Sequence, residues 1–433
     1  LSEIAGLVLR EGRTAERRPL SLTELPFLYD GTDDFQNRII YYESQRGCPF
    51  RCSYCLSSID KTVRFRDIDT VKKELQYFLD HKVEQVKFVD RTFNCNHAHA
   101  MAVWKYLLEH DNGVTNFHFE IAGDILDEEE LSVLRSMRPG LVQLEIGVQS
   151  TNARTLQEIR RVMDIGKLKA VVAAIREGNN IHQHLDLIAG LPYEDYESFG
   201  HSFDEVYAMK PDQLQLGFLK VLKGSYMQEK APEYGLVYTE KPPYEVLYTR
   251  WLSYEDVCRL KRIEEMMELY YNSSQFTHTM PFLERAFQSP FAMYEALADF
   301  YEAGGYFKEN PSRIYRYQVL LSFAEQYDGA HLPLYKELLT FDLYLRENAK
   351  SRPDFAGDRE DIKGKLSDFY RREAEERRLL PDYEGYDGRQ LARMTHLELF
   401  RYPVWQQEPG ESPETGYVLF DYKNRNPLNR EAR

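Results

Sequence analysis

From Arg38 onward, short apolar runs alternate with longer runs in which apolar residues recur at helical spacing. The short runs predict strands in RIIYYES from Arg38, QVKFVD from Gln85, FHFEIAG from Phe117, VQLEIGV from Val142, HQHLDLI from His182 and QLQLGFL from Gln213. Between them, DTVKKELQYFLDH, HAMAVWKYLLEH, DEEELSVLRSM, IGKLKAVVAAIREG and YESFGHSFDEVYAMK predict helices, several opening on an acidic or capping residue and closing on Gly or Lys. Strand and helix alternating at this spacing imply an α/β fold with a parallel sheet and right-handed crossovers. The C-terminal ends of the strands then share one face, where loops gather ligands.

The pattern changes at both ends. Residues 1–33 carry Pro and Gly without a strong period and read as a linker, residues 34–224 as the strand–helix core, and residues 225–433 as a second domain. The stretch from YEVLYTRWLSYEDVCRLKRIEEMMELYY through KLSDFYRREAEERRLL predicts amphipathic helices, HLELFRYPV and TGYVLFDY predict late strands, and QQEPGESPETG is a loop.

Composition narrows the function classes. A chain of 433 residues, 43% hydrophobic and 29% charged, buries at least one sizeable core and is expected to be a soluble globular protein. Apolar runs such as LVQLEIGV are far shorter than the roughly 20 residues a membrane-spanning helix needs. The first residues lack the order of a signal peptide, so a reducing cytoplasm is the expected compartment. The formal net charge of −15 argues against a broad nucleic-acid surface.

Five cysteines is an odd number, and Cys48, Cys52 and Cys55 crowd into ESQRGCPFRCSYC. Three soft thiolates in one loop suit iron or zinc. Zinc normally takes a second distant pair, which the sequence lacks, so zinc fits poorly. A [4Fe–4S] cluster on three cysteines keeps one iron open for substrate or cofactor.

With CPFRCSYC as its CxxxCxxC signature, the sequence resembles the radical S-adenosylmethionine (SAM) enzymes. The resemblance runs over residues 34–224 through VKFVDRTFN, FHFEIAGDIL, LEIGVQSTNARTLQEIRR and HLDLIAGLPYEDYESF, in the order of the branch holding methylthiotransferases, coproporphyrinogen dehydrogenases and cobalamin-binding members. It implies a partial (β/α)6 TIM-like barrel with a mainly α-helical C-terminal domain, and a [4Fe–4S] cluster whose open iron holds SAM for one-electron cleavage to a 5′-deoxyadenosyl radical. An electron donor such as flavodoxin or ferredoxin, and a small-molecule or peptidic substrate, are implied with it. Carried over by position, Tyr54 stands beside the adenine, Glu120 and Gln149 contact SAM, Arg161 pairs with its carboxylate with Arg160 one register away, Asp186 binds the ribose, and Ile188 touches the adenine. Where many members have Gly-Gly-Glu for the SAM amino group, this chain has VDRTFN, placing Asp90 or Arg91 there.

Other residues carry weaker signals. Cys95 lies near the active face and is a candidate radical relay, against an ordinary half-buried thiol; Cys258 reads as core packing. Ser150 could cap the helix after the fourth strand, and His182 and His184 share a strand face as packing or polar contacts. The opening EIAGLVLREGRTAERRPLSLTELPFLYDG resembles the connection that follows an N-terminal B12 domain, and the domain order resembles a bacterial family with an uncharacterised C-terminal domain. This implies cobalamin bound through a domain upstream of Leu1, and methyl transfer or another radical rearrangement. Two alternatives stand beside it: a tRNA-modifying enzyme of the methylthiotransferase type, and a non-catalytic iron–sulfur protein.

Overall fold

The computed structural model describes residues 3–29, 35–59, 62–357, 363–406 and 409–433. All six expected strands form: β1 Ile39–Tyr42, β2 Gln85–Phe88, β3 Asn116–Ile121, β4 Val142–Gln149, β5 His182–Ala189 and β6 Gln213–Phe218. They make one sheet in the order β6-β5-β4-β3-β2-β1, and β1/β2, β2/β3, β3/β4 and β5/β6 all pair in parallel. The sheet stays open, with β1 and β6 at its two edges.

By Cα packing the chain resolves into two compact units: Leu1–Gly147 with Arg160–Ile181 and Leu222–Gln228, and Val148–Ile159 with His182–Val221 and Glu229–Arg433. In the first unit, α1 Ile68–Asp80, α2 His97–Glu109, α3 Glu128–Arg135 and α5 Ile165–Gly178 follow the strands; the second holds α4 Ala153–Glu158 and α6 Tyr196–Tyr207. Their starts are set by side chains that accept backbone N–H groups: Asp67 for α1, Asn96 for α2, Asp127 with Glu130 as a capping box for α3, Asn152 for α4, Asp164 for α5 and Asp195 for α6. The helix of α4, six residues long, is too short to show a period in the sequence. Its cap is Asn152, not Ser150: the Ser150 hydroxyl accepts the Asn152 N–H at 3.0 Å and donates to Glu194 at 2.6 Å.

Strand alternation divides the first unit's sheet into two faces of opposite character. Ile40, Tyr42, Val86, Phe88, Phe117, Phe119, Ile121, Val142, Leu144 and Ile146 are all buried. Phe78 of α1 meets Tyr42 edge-on at 5.8 Å, and Trp104 of α2 meets Phe119 at 6.1 Å. Each such side chain contributes about 1.5–3 kcal/mol on burial. The alternate positions carry Tyr41, Lys87, His118, Glu120 and Glu145.

The second unit also holds the C-terminal helices α7 Tyr254–Met267, α8 Pro290–Gly304, α9 Arg313–Asp328, α10 Leu332–Arg346, α11 Lys363–Glu376 and α12 Gly388–Met394. The run expected to open the C-terminal amphipathic helices first makes a short strand at Val246–Tyr248; the helix starts at Tyr254, where Ser253 and Asp256 form a capping box. The late strands pair antiparallel as β7 Thr395–Phe400 and β8 Gly416–Asp421. Cys258 sits half-buried on α7.

Candidate active site

The cysteine loop begins where β1 ends. Gln45 and Arg46 pair with Phe65 and Arg64, closing the loop at its base. Gly47 turns the chain there with φ +102, and a Cβ at that position would lie 2.1 Å from the Thr62 carbonyl oxygen, so only glycine fits. Cys52 is buried, while Cys48 and Cys55 are half-buried; none of the three is in a disulfide. Among the described residues, the one His/Cys/Asp/Glu trio with ligand atoms within 4.8 Å of each other is His97, Asp127 and Glu130. That trio is engaged as the α3 capping box and its ion pairs. The three sulfurs are therefore spread wider than the roughly 3.8 Å spacing that tetrahedral thiolates take around a single zinc ion.

Arg161 brings a cation to Cys52 of this loop. Its Nη1 lies 3.7 Å from the Cys52 sulfur, its Nη2 donates to the Gly147 carbonyl, and its Nε is buried without a hydrogen-bond partner. Burial opposes the charge, yet Tyr54 and Cys52 beside it hold the guanidinium above its ordinary pKa. Burial also raises Tyr54 and the Cys48 thiol. The neighbouring Arg160 takes φ +57 and turns away to stack its guanidinium 3.6 Å above the Tyr226 ring, so that of the two adjacent arginines Arg161 is the one beside Cys52. The Met227 N–H donates to the Ser53 carbonyl at 2.9 Å, so residues 226–227 seat on the loop.

Beneath the loop lies a buried polar network. Asp90 is fully buried and accepts the Ser44 N–H at 2.9 Å, the Ser44 hydroxyl at 2.5 Å and the Gln45 N–H at 3.0 Å. Burial pushes its carboxyl up to about 7, against the pull of those donors. The single Ser44 proton goes to Asp90, so His99 Nε2–H donates to Ser44 Oγ across 2.9 Å. Burial lowers His99 to about 4, which keeps this ring neutral. The Gln45 amide donates to the Thr92 carbonyl at 2.6 Å and accepts from the Cys95 thiol at 3.6 Å. Thr92 Oγ1 lies 3.4 Å from Cys48 Sγ. Asp90, one of the two residues standing in the Gly-Gly-Glu position, thus faces into the protein with its carboxylate committed to the loop. Cys95 is held by Gln45, and burial raises its thiol to about 11.

A parallel sheet covered on both faces reads as nearly continuous apolar residues. Here the second face is charged. In the first unit Lys87 and His118 reach Glu145 at 3.0 and 2.9 Å, and Glu120 stands in register with Glu145. In the second unit Asp186 and Ile188 lie on one face of β5, and Asp186 Oδ1 is 3.0 Å from His184 Nε2. Gln149 ends β4 with φ +76 and has a buried Oε1 without a hydrogen-bond partner. Close by in the same unit, Glu194 accepts from Ser150 and Ser202, and burial raises it to about 7.

The structure therefore gathers Cys48, Cys52, Cys55, Tyr54 and Arg161 in one unit, with Cys95 and Glu120 in that unit as well; Gln149, Asp186 and Ile188 belong to the other. Soft sulfur donors beside a guanidinium whose buried Nε has no hydrogen-bond partner fit a metal–sulfur cluster with an anionic ligand on it. Sequence reasoning missed Gln45, Thr92 and Met227. Thr92 stands in the VDRTFN stretch, but its partner Cys48 is 44 residues away, so no local pattern announces the contact.

Residues 42–206 match the radical SAM superfamily, and residues 232–420 match a family described as a protein of unknown function (DUF4080). The chain is similar to the cobalamin-dependent radical SAM methyltransferase TokK of Streptomyces tokunonensis, 29% identical over 223 residues, which cover 46% of this chain and 32% of that protein. It is also similar to oxygen-independent coproporphyrinogen III oxidase of Pseudomonas aeruginosa, 30% identical over 110 residues, 25% of this chain and 23% of that protein. The chain thus spans a third or less of the length of these relatives. The solved structure of the cobalamin-dependent S-adenosylmethionine radical enzyme OxsB covers 78% of this chain and 59% of its own, with a TM-score of 0.50 at 12% identity, a likeness of fold.

Proposed function

We propose that this chain, a radical SAM domain followed by a domain of a family of unknown function, is an enzyme that cleaves SAM reductively at a [4Fe–4S] cluster held by Cys48, Cys52 and Cys55. The observation carrying this reading is Arg161, half-buried beside Cys52 with its buried Nε lacking a hydrogen-bond partner. When bound, the cluster supplies the electron that converts SAM to a 5′-deoxyadenosyl radical. The chain's own residues bind and orient: Arg161 pairs with the SAM carboxylate, Tyr54 flanks the adenine, Glu120 and Gln149 give polar contacts, Asp186 accepts from the ribose, and Ile188 offers apolar surface. The charged face of the sheet supports this assignment, because Lys87, His118, Glu120 and Glu145 would be costly against an apolar layer. The electron comes from a flavodoxin or ferredoxin, in a reducing compartment that keeps the thiols free.

Methyl transfer with cobalamin to a small or peptidic substrate is the finer reading, favoured by the likeness to TokK. On this reading residues 34–224 perform the radical step and residues 225–433 select the substrate. The test is anaerobic reconstitution, reduction with dithionite and detection of 5′-deoxyadenosine. Wild type should hold roughly four irons per chain, and Cys48→Ala, Cys52→Ala or Cys55→Ala should lose them. Arg161→Met should keep the iron and weaken SAM about tenfold or more, the loss of a charge-assisted hydrogen bond of about 1.5–3 kcal/mol. Full iron in Cys52→Ala sinks the cluster assignment.

A further inference from the structure

We propose that Thr92 is a positioning residue that tunes the reduction potential of the cluster, through an O–H···S hydrogen bond from its hydroxyl to the Cys48 sulfur. This rests on the cluster reading above. Thr92 Oγ1 lies 3.4 Å from Cys48 Sγ, within range for a hydrogen bond to sulfur, and Thr92 is buried, so no water competes for it. In the thiol state of the loop the Thr92 proton goes to the Arg91 carbonyl at 2.8 Å, and Cys48 S–H is the donor toward Thr92. A cysteine that ligates iron has lost that proton and becomes an acceptor. The Thr92 hydroxyl then turns about its C–O bond, with no movement of heavy atoms, and donates to sulfur.

The rest of the network keeps the hydroxyl at this distance. The Gln45 side chain holds the Thr92 carbonyl at 2.6 Å, and Cys95 S–H, donating to the Gln45 oxygen at 3.6 Å, fixes which way that amide faces. The Gln45 backbone is in turn tied to Asp90, so the distance between Thr92 and the start of the cysteine loop is set from below by buried bonds.

The energetic consequence has a definite sign. Reduction adds one electron, which spreads over the cluster and its sulfur ligands and makes Cys48 Sγ a stronger acceptor. A donor pointed at that sulfur stabilises the reduced form more than the oxidised one and raises the potential. Removing the hydroxyl should therefore make the cluster harder to reduce while leaving its three ligands in place.

The experiment is a redox titration of reconstituted holoenzyme with dithionite as reductant, followed by electron paramagnetic resonance, on wild type, Thr92→Val and Thr92→Ser. Val keeps the shape of Thr and removes the hydroxyl; Ser keeps the hydroxyl and removes the methyl. Thr92→Val should retain wild-type iron content and titrate at a more negative potential, and Thr92→Ser should titrate with wild type. An unshifted Thr92→Val, or equal shifts in both variants, overturns the assignment, because packing alone would move them together. If Thr92→Val fails to load iron, Gln45→Met decides: freeing the Thr92 carbonyl should shift the potential in the same direction by a smaller amount, and no shift overturns the assignment. Failure of wild type to take up iron would instead refute the cluster reading itself.

Discussion

Two buried carboxylates, one in each compact unit, hold a chain segment in nearly the same way and yet treat the neighbouring histidine oppositely. Asp90 takes two backbone N–H groups and a hydroxyl at the start of the cysteine loop. Asp342, on α10, takes the N–H groups of His278 and Thr279 at 3.0 and 2.9 Å and the Thr279 hydroxyl at 2.7 Å, satisfying the first donors of the short helix Thr279–Leu283. The difference lies in one hydroxyl. His99 reaches Asp90 only through Ser44, and its burial keeps it neutral. His278 Nδ1 meets Asp342 directly at 3.0 Å, and although burial works against the charge, that contact lifts its pKa. A buried acid that touches a histidine lifts its pKa against burial, whereas one held off by a hydroxyl leaves burial to lower it.

The largest effect should separate the two acids by what they hold. Asp90→Ala should strip most of the roughly four irons from the reconstituted protein, with Asp90→Asn restoring much of the loading because one amide oxygen can still accept both N–H groups. Asp342→Ala should leave iron loading unchanged. Metal analysis of the three variants checks this, and equal iron loss in Asp342→Ala would dissolve the distinction.

Next in size is stability. Asp342→Ala leaves several buried donors unpaired and should cost on the order of 3 kcal/mol, read as a lower midpoint in urea. His278 and His99 should then show opposite pH signatures. The His278 contribution is fully present below pH about 6.5, its unfolded value, and fades as pH rises through the raised folded pKa. Replacing it with Gln should therefore cost more at pH 5 than at pH 9. His99, neutral in the fold until about pH 4, loses stability as pH falls from about 6.5 toward 4, a span on the order of 3 kcal/mol. His99→Gln should flatten that acid limb. The Asp90 carboxyl, raised to about 7, opposes it by stabilising at low pH and fading as pH climbs from about 4 to 7, so each midpoint is compared with wild type at the same pH. Parallel melting curves for the two histidine variants would refute the role given to Ser44. The smallest effect belongs to Cys258→Ala, which should leave iron content unchanged and cost a few tenths to about 1 kcal/mol for a half-buried thiol.

Much of the first unit was legible because its signals are local. The six strands appear where the apolar runs end at turn residues, and the helix starts follow Asp, Asn and Glu side chains that reach only two or three residues along the chain. The cysteine spacing named its own loop. Less was legible in the second unit, where the run before α7 breaks into a strand, a turn and a capped helix that mean composition does not separate. The cap of α4 was not decided locally, because Ser150 and Asn152 are both good capping types; Glu194, 44 residues beyond Ser150, claims the serine.

The sequence by itself determined the alternation of strand and helix, the loop of three thiols and the polar residues set at every second strand position. Those follow from covalent order and from interactions a few residues long. Only the tertiary structure decided which of two adjacent arginines faces the cysteines, that Asp90 turns beneath the loop, and that Thr92 rather than a nearer residue meets Cys48. Each of those outcomes depends on partners 44 to 109 residues apart. The choice between them is made by burial, since a buried polar group must find a partner wherever the fold brings one within reach, and sequence distance places no limit on where that partner comes from.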